Sequence, residues 1–140
     1  MKKEVLLRSV EGIQPEIHRW GKVWSLSTSV EGIQPEIHRW GKVWSLSTEA
    51  DGKEGSAGLL DMWDSNDPQY TKRATRYYFI LEGCGEIRIG ADTTYSIKKG
   101  SFLRVPPLTV HRLVPKEKLT VLVFSTPAYS EDDTVYQSAP

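Results

Sequence analysis

A chain of 140 residues suits one domain: it is long enough to bury a core without disulfides or a metal, and short for two domains. Its 18 Lys and Arg balance 18 Asp and Glu, which removes the overall field that would draw it to nucleic acid or an anionic membrane. No apolar run approaches the roughly 20 residues that cross a bilayer, and the single Cys84 cannot form an internal disulfide. The N-terminal "MKKEVLLRSVEG" has too short and too charged an apolar stretch for a signal peptide, so a cytoplasmic location in a reducing compartment is expected.

The first feature along the chain is an exact tandem repeat. "SVEGIQPEIHRWGKVWSLST" occupies 9–28 and recurs without change over 29–48. Within each copy "EGIQPEIHRW" reads as an irregular arm, because Pro15 and Pro35 rule out a helix interior. The ending "GKVWSLST" alternates Val43 and Ser45 with Trp44 and Leu46, which predicts a half-buried strand. "EADGKEGSAG" reads as a flexible connection and "SAGLLDMWD" as a further strand. The aspartates of "DMWDSND" lack the spacing and glycine of a calcium loop, so an Asx-rich turn is expected there. From Thr75 onward the runs "RYYFILE", "EIRIG", "TYSI", "SFLRV", "VHRLV" and "LTVLVFST" predict six strands, broken by "GCG", "ADT", "KKG" and "PP". Cys84 falls in the first of these turns. Residues 128–140 read as a C-terminal tail over the barrel, frayed at its end. Regular short strands without an amphipathic helix predict a single all-β sandwich or barrel domain over 1–140.

The duplication poses an energetic question. One barrel position can take only one copy, and the other, left loose, exposes two tryptophans. Burying these removes about 400 Å² from water, worth roughly 10 kcal/mol at most, while fixing about eight strand residues costs the same order in backbone entropy. Both copies are expected to be ordered. One fills the barrel's own first strand, and the other pairs along a sheet edge of a second subunit, giving a homodimer through the duplicated strand. The plain alternative is a tolerated surface insertion, since doubling a loop adds only about 0.6 kcal/mol.

"YYFILEGCGEIRIG" followed by "IKKGSFLRVPPLTVHRLV" resembles the cupins, whose fold is a double-stranded β-helix or jelly-roll barrel. Gly100, Pro106 and His111 match the second cupin motif, in which a Gly precedes a Pro by six positions and a His follows that Pro by five. The motif's usual Gly two positions after the Pro is Leu108 here. The flanks "RWGKVWSL" and "YSEDDTVY" are similar to the cupin domain of sugar-phosphate (mannose-6-phosphate) isomerases. The resemblance places the cupin metal positions at Gln69, Thr71, Arg76 and His111. A cation about 4 Å from a divalent ion costs roughly 8 kcal/mol at an effective dielectric near 20, so Arg76 argues against a metal, and no cofactor is expected.

Arg76 has two readings: paired with a carboxylate in the wall, or converting a metal cup into an anion cup through its bidentate fork. Gln69, Arg104 and Trp63 join it as candidate ligand-binding residues, with Lys72 and Arg73 on a solvated edge. His111 is the candidate general base, equally readable as a hydrogen-bonded wall residue. Tyr78 or Tyr77 is the candidate acid; because strand neighbours face opposite ways, at most one points inward. His18 and His38 are surface residues by default. These residues imply a barrel that binds a small anionic or sugar-like molecule without a metal, the alternatives being a metal-free isomerase or epimerase and a metal-dependent cupin enzyme.

Overall fold

The computed structural model describes residues 33–137, together with the backbone of three short strands nearer the N-terminus. In chain order the strands are β1 (Leu6–Ser9), β2 (Ile17–His18), β3 (Gly21–Lys22), β4 (Glu36–His38), β5 (Gly41–Ser47), β6 (Ser56–Met62), β7 (Gln69–Thr71), β8 (Thr75–Glu82), β9 (Cys84–Ile89), β10 (Thr93–Lys98), β11 (Ser101–Val105), β12 (His111–Pro115), β13 (Leu119–Thr126) and β14 (Thr134–Tyr136). A 3-10 turn over Glu131–Asp133 precedes β14. Two antiparallel sheets result, ordered β1-β11-β8-β13-β6-β5-β4 and β10-β9-β12-β7-β14, with β2 and β3 as a separate hairpin. Among the described residues no helix is long and apolar enough to cross a membrane.

Period-two alternation builds the core. Along β8 the side chains of Arg76, Tyr78 and Ile80 are buried while Thr75, Tyr77 and Phe79 are only half-buried. Leu103 and Val105 on β11, Val121 on β13, and Leu60 and Met62 on β6 meet Ile87, Ile97 and Leu113 from the five-stranded sheet. Glycine is required where β8 turns into β9. Gly83 has φ +90°, and a Cβ there would lie 2.1 Å from the Lys118 carbonyl oxygen.

Several local expectations are corrected. Cys84 opens β9 rather than sitting in the turn. The arm ahead of the repeat's strand is irregular only in part: residues 33–35 carry no regular structure, but Glu36–His38 pairs with β5 as a hairpin in the register Glu36↔Val43, Ile37↔Lys42, His38↔Gly41. The alternation in β5 is interrupted by a register shift between Ser45 and Ser47. Trp40 and Val43 pack against the core, whereas Leu46 is exposed. The C-terminal segment is no loose cover: β14 pairs with β7 and completes the five-stranded sheet.

The second repeat copy supplies the barrel strand, since β5 pairs with β6 over most of its length. In the first copy, β2 and β3 repeat the second copy's pairing, with Ile17↔Lys22 and His18↔Gly21. The rest of that copy, on which the expectation of edge pairing falls, lies outside the described residues, as do the last three residues of the tail.

Candidate functional site

Four of the sequence-predicted residues converge at one end of the barrel. β8 delivers Arg76 and Tyr78 to the same face, about 6.6 Å apart along the strand. The facing sheet delivers Gln69 and His111, which are direct cross-strand partners on β7 and β12. All four are buried. The "PPLTVH" turn sets His111 in place: Leu108 donates its N–H to the Thr71 carbonyl at 2.7 Å. Leu108 takes φ +61°, the left-handed region that favours the glycine usual at this motif position.

The hydrogen bonds fix the protonation pattern. His111 Nδ1 lies 2.9 Å from the Thr109 carbonyl oxygen, which can only accept, so Nδ1 carries the proton. Nε2 then presents its lone pair to the Tyr78 hydroxyl, which donates across 2.8 Å. Burial drives the His111 pKa down to about 4; the bond to Thr109 opposes this, and the Arg76 charge adds to it. Burial likewise pushes the Tyr78 hydroxyl above its ordinary value, against the pull of the neighbouring Arg76. Near neutral pH this is a neutral imidazole bonded to a neutral phenol.

Arg76 is the charge of the site. Its Nη1 donates to Gln69 Oε1 at 2.6 Å and its Nη2 to Thr134 Oγ1 at 2.8 Å. The Tyr129 ring lies 5.5 Å from the guanidinium carbon, within cation–π range. No carboxylate among the described residues pairs with it, so the wall ion-pair reading finds no partner. Tyr136 stands beside Tyr129, its hydroxyl pushed up to about 12, chiefly by burial and then by Tyr129.

The remaining candidates lie elsewhere. Tyr77 faces outward and stacks on Phe102 with ring centroids 5.9 Å apart, so Tyr78 alone points inward. Arg104 is exposed on β11 between buried Leu103 and Val105; strand alternation turns it away from Arg76. Trp63 is 49% exposed and donates its indole N–H to the Arg39 carbonyl at 3.1 Å. Thr71 is buried, but its hydroxyl closes the turn before β8 by donating to the Ala74 carbonyl. Arg73 is no mere solvated edge: its N–H and Nε, with the Ala74 N–H, converge on buried Asp133. That anchorage holds the segment carrying Thr134 and Tyr129, the two site residues not foreseen from sequence. Their signal was present in "YSEDDTVY", where a β-branched and aromatic "TVY" follows an acidic turn.

The donor set does not suit a divalent cation. Of the four cupin metal positions, Gln69 spends its Oε1 on Arg76, Thr71 is committed to a turn, Arg76 is itself cationic, and His111 Nε2 accepts from Tyr78. No group of three or more His, Cys, Asp or Glu suited to a metal occurs among the described residues.

No family model matches the chain, and no curated protein matches it. Solved structures do. Ectoine synthase from P. lautus aligns with TM-score 0.65 and 19% identity over 79% of this chain and 86% of that one. A His-to-Gln variant of Streptomyces PAC13 with uridine aligns with TM-score 0.67 and 13% identity over 82% and 92%. Oxalate decarboxylase from Lactobacillus farciminis aligns with TM-score 0.62 and 16% identity over 74% of this chain but 33% of that one, so the chain spans a third of its length. These are cupin-fold proteins, and this chain is a cupin-fold jelly-roll barrel. Identities this low show the fold alone.

Proposed function

We propose that the protein binds a small anionic, sugar-like molecule at Arg76, in a barrel without a metal. The observation that carries this reading is a buried guanidinium with no carboxylate partner among the described residues. Burying a cation costs several kcal/mol even after relaxation, and hydrogen bonds to charged groups return about 1.5–3 kcal/mol each. Neutral Gln69 and Thr134 supply two such bonds but no charge, which leaves a carboxylate or phosphate as the complementary occupant. Tyr129 offers an aromatic face beside it. The similarity of the flanks to sugar-phosphate isomerases favours a phosphorylated or acidic sugar. The same reading takes the protein as a cytoplasmic homodimer joined through the first repeat copy.

A second reading, metal-free isomerase or epimerase chemistry, rests on the 2.8 Å contact between Tyr78 and His111. PAC13, a fold neighbour, was solved with uridine in a His-to-Gln and a Tyr-to-Phe variant. Against catalysis stands the low pKa of His111, since a general base works best with a pKa near the operating pH. Binding is therefore the better-supported use.

The test is a thermal-shift screen of sugar phosphates and small carboxylic acids against wild type and Arg76→Gln. A ligand at a hundredfold its Kd stabilises by about 2.7 kcal/mol, an upward Tm shift of several degrees that should vanish in the variant. No shift with either class, or an equal shift in Arg76→Gln, overturns the reading.

A further inference from the structure

The outer face of the five-stranded sheet carries a second cationic feature, built on Arg88 and Arg112 rather than Arg76. Arg88 on β9 and Arg112 on β12 are direct cross-strand partners. Partners in an antiparallel pair project to the same face with Cβ atoms about 5 Å apart, and like charges so placed repel. They line a cleft of about 230 Å³ with Pro68, Gly90, Ala91, Val110 and His111, the last shared with the barrel site. Arg112 Nε is buried without a hydrogen-bond partner among the described residues. A buried unsatisfied donor in a folded protein calls for an explanation, an unseen ion among them.

The surrounding charges do not neutralise the pair. Glu86 lies 3.6 Å from Arg88 Nη2 and also 3.7 Å from Lys116 Nζ, so one carboxylate serves two cations before Arg112 is counted. Thr94, the partner of Arg88 on β10, adds no charge.

We propose that this cleft is an oxyanion site in which Arg88 and Arg112 together hold a phosphate group. One dianion relieves the repulsion across β9 and β12, and a small rotation of the Arg112 guanidinium toward it gives the buried Nε an acceptor. Two guanidinium forks presented side by side match the several oxygens of a tetrahedral phosphate better than a lone lysine would.

The test is NMR of the 15N-labelled full chain, following the arginine Nε–Hε resonances through titrations with inorganic phosphate, methyl phosphate and, at matched ionic strength, sodium chloride. Saturable shifts of the Arg112 resonance are expected with phosphate and not with chloride. Arg112→Gln and, independently, Arg88→Gln should weaken binding by about tenfold or more, the loss of one charge-assisted hydrogen bond. Arg76→Gln in the barrel should leave it unchanged. Tighter binding of methyl phosphate identifies a phosphorylated small molecule, and equal or tighter binding of inorganic phosphate identifies the free anion. Non-saturable shifts, the same response to chloride, unaltered affinity in both Arg88→Gln and Arg112→Gln, or loss of binding only in Arg76→Gln overturns the proposal. The barrel reading stands or falls separately, on Arg76.

Discussion

Acidification should destabilise this barrel through one residue. His111 is buried and neutral, with its pKa lowered to about 4 from an ordinary 6.5, so the unfolded chain binds a proton that the native state refuses. The stability this contributes is fully present above the unfolded pKa and is lost as pH falls from about 6.5 toward 4. For a single group with these values, the loss between about pH 7.5 and pH 5 is roughly 2 kcal/mol, approaching about 3 kcal/mol below pH 4. That is a large share of the roughly 5–15 kcal/mol of a typical domain. The measurement is urea unfolding at the two pH values for wild type and His111→Gln. Glutamine retains a carbonyl that can accept from Tyr78 but does not titrate. The variant is less stable than wild type at neutral pH, and its pH-dependent loss is smaller by about 2 kcal/mol. An identical loss in both proteins would show that His111 is not the group being protonated and would refute the assignment of a neutral, buried imidazole.

Three further outcomes follow from the same structure. Tyr78→Phe removes the one hydroxyl bonded to His111 Nε2 among the described residues, leaving a buried acceptor unpaired at a cost of about 1–3 kcal/mol; chemical denaturation at neutral pH measures it, and no loss would mean that the pair is not formed. Leu108→Gly relieves a side chain held at φ +61° and 60% exposed, with a gain of roughly 0.5–1 kcal/mol after the entropy of glycine is counted; a loss would show that the leucine side chain contributes packing. Deleting 9–28 leaves the copy that forms β4 and β5, so the variant should fold and, if the first copy joins subunits, sediment as a monomer where the full chain is a dimer. A deletion variant that remains dimeric refutes that role for the repeat.

Much of the fold was legible because a strand's signal is local. "LTVLVFST" and "SFLRV" coincide with β13 and β11, bounded by residues that cannot continue a ladder. β7 and β14 were missed because strands of three residues carry too few positions to show a period. At the site, Arg76 and His111 stood out by motif position, and alternation required that Tyr77 and Tyr78 diverge. Arg104 and Trp63 were placed with them by residue type alone, and type carries no direction.

Sequence by itself determined the β class, most of the turns and the presence of a cation where a ligating carboxylate is usual. Each of these follows from side-chain chemistry or from the two-residue period of a strand. Only the tertiary structure decided that Tyr78 faces in, that Gln69 and Thr134 reach Arg76 from the opposite sheet, and that no described carboxylate neutralises it. Periodicity leaves open which face meets the core, and closure of two sheets settles it. The repeat is the clearest case. Two identical segments have identical local preferences, so nothing within them distinguishes the copies. The second supplies β5 because its place in the chain brings it beside β6.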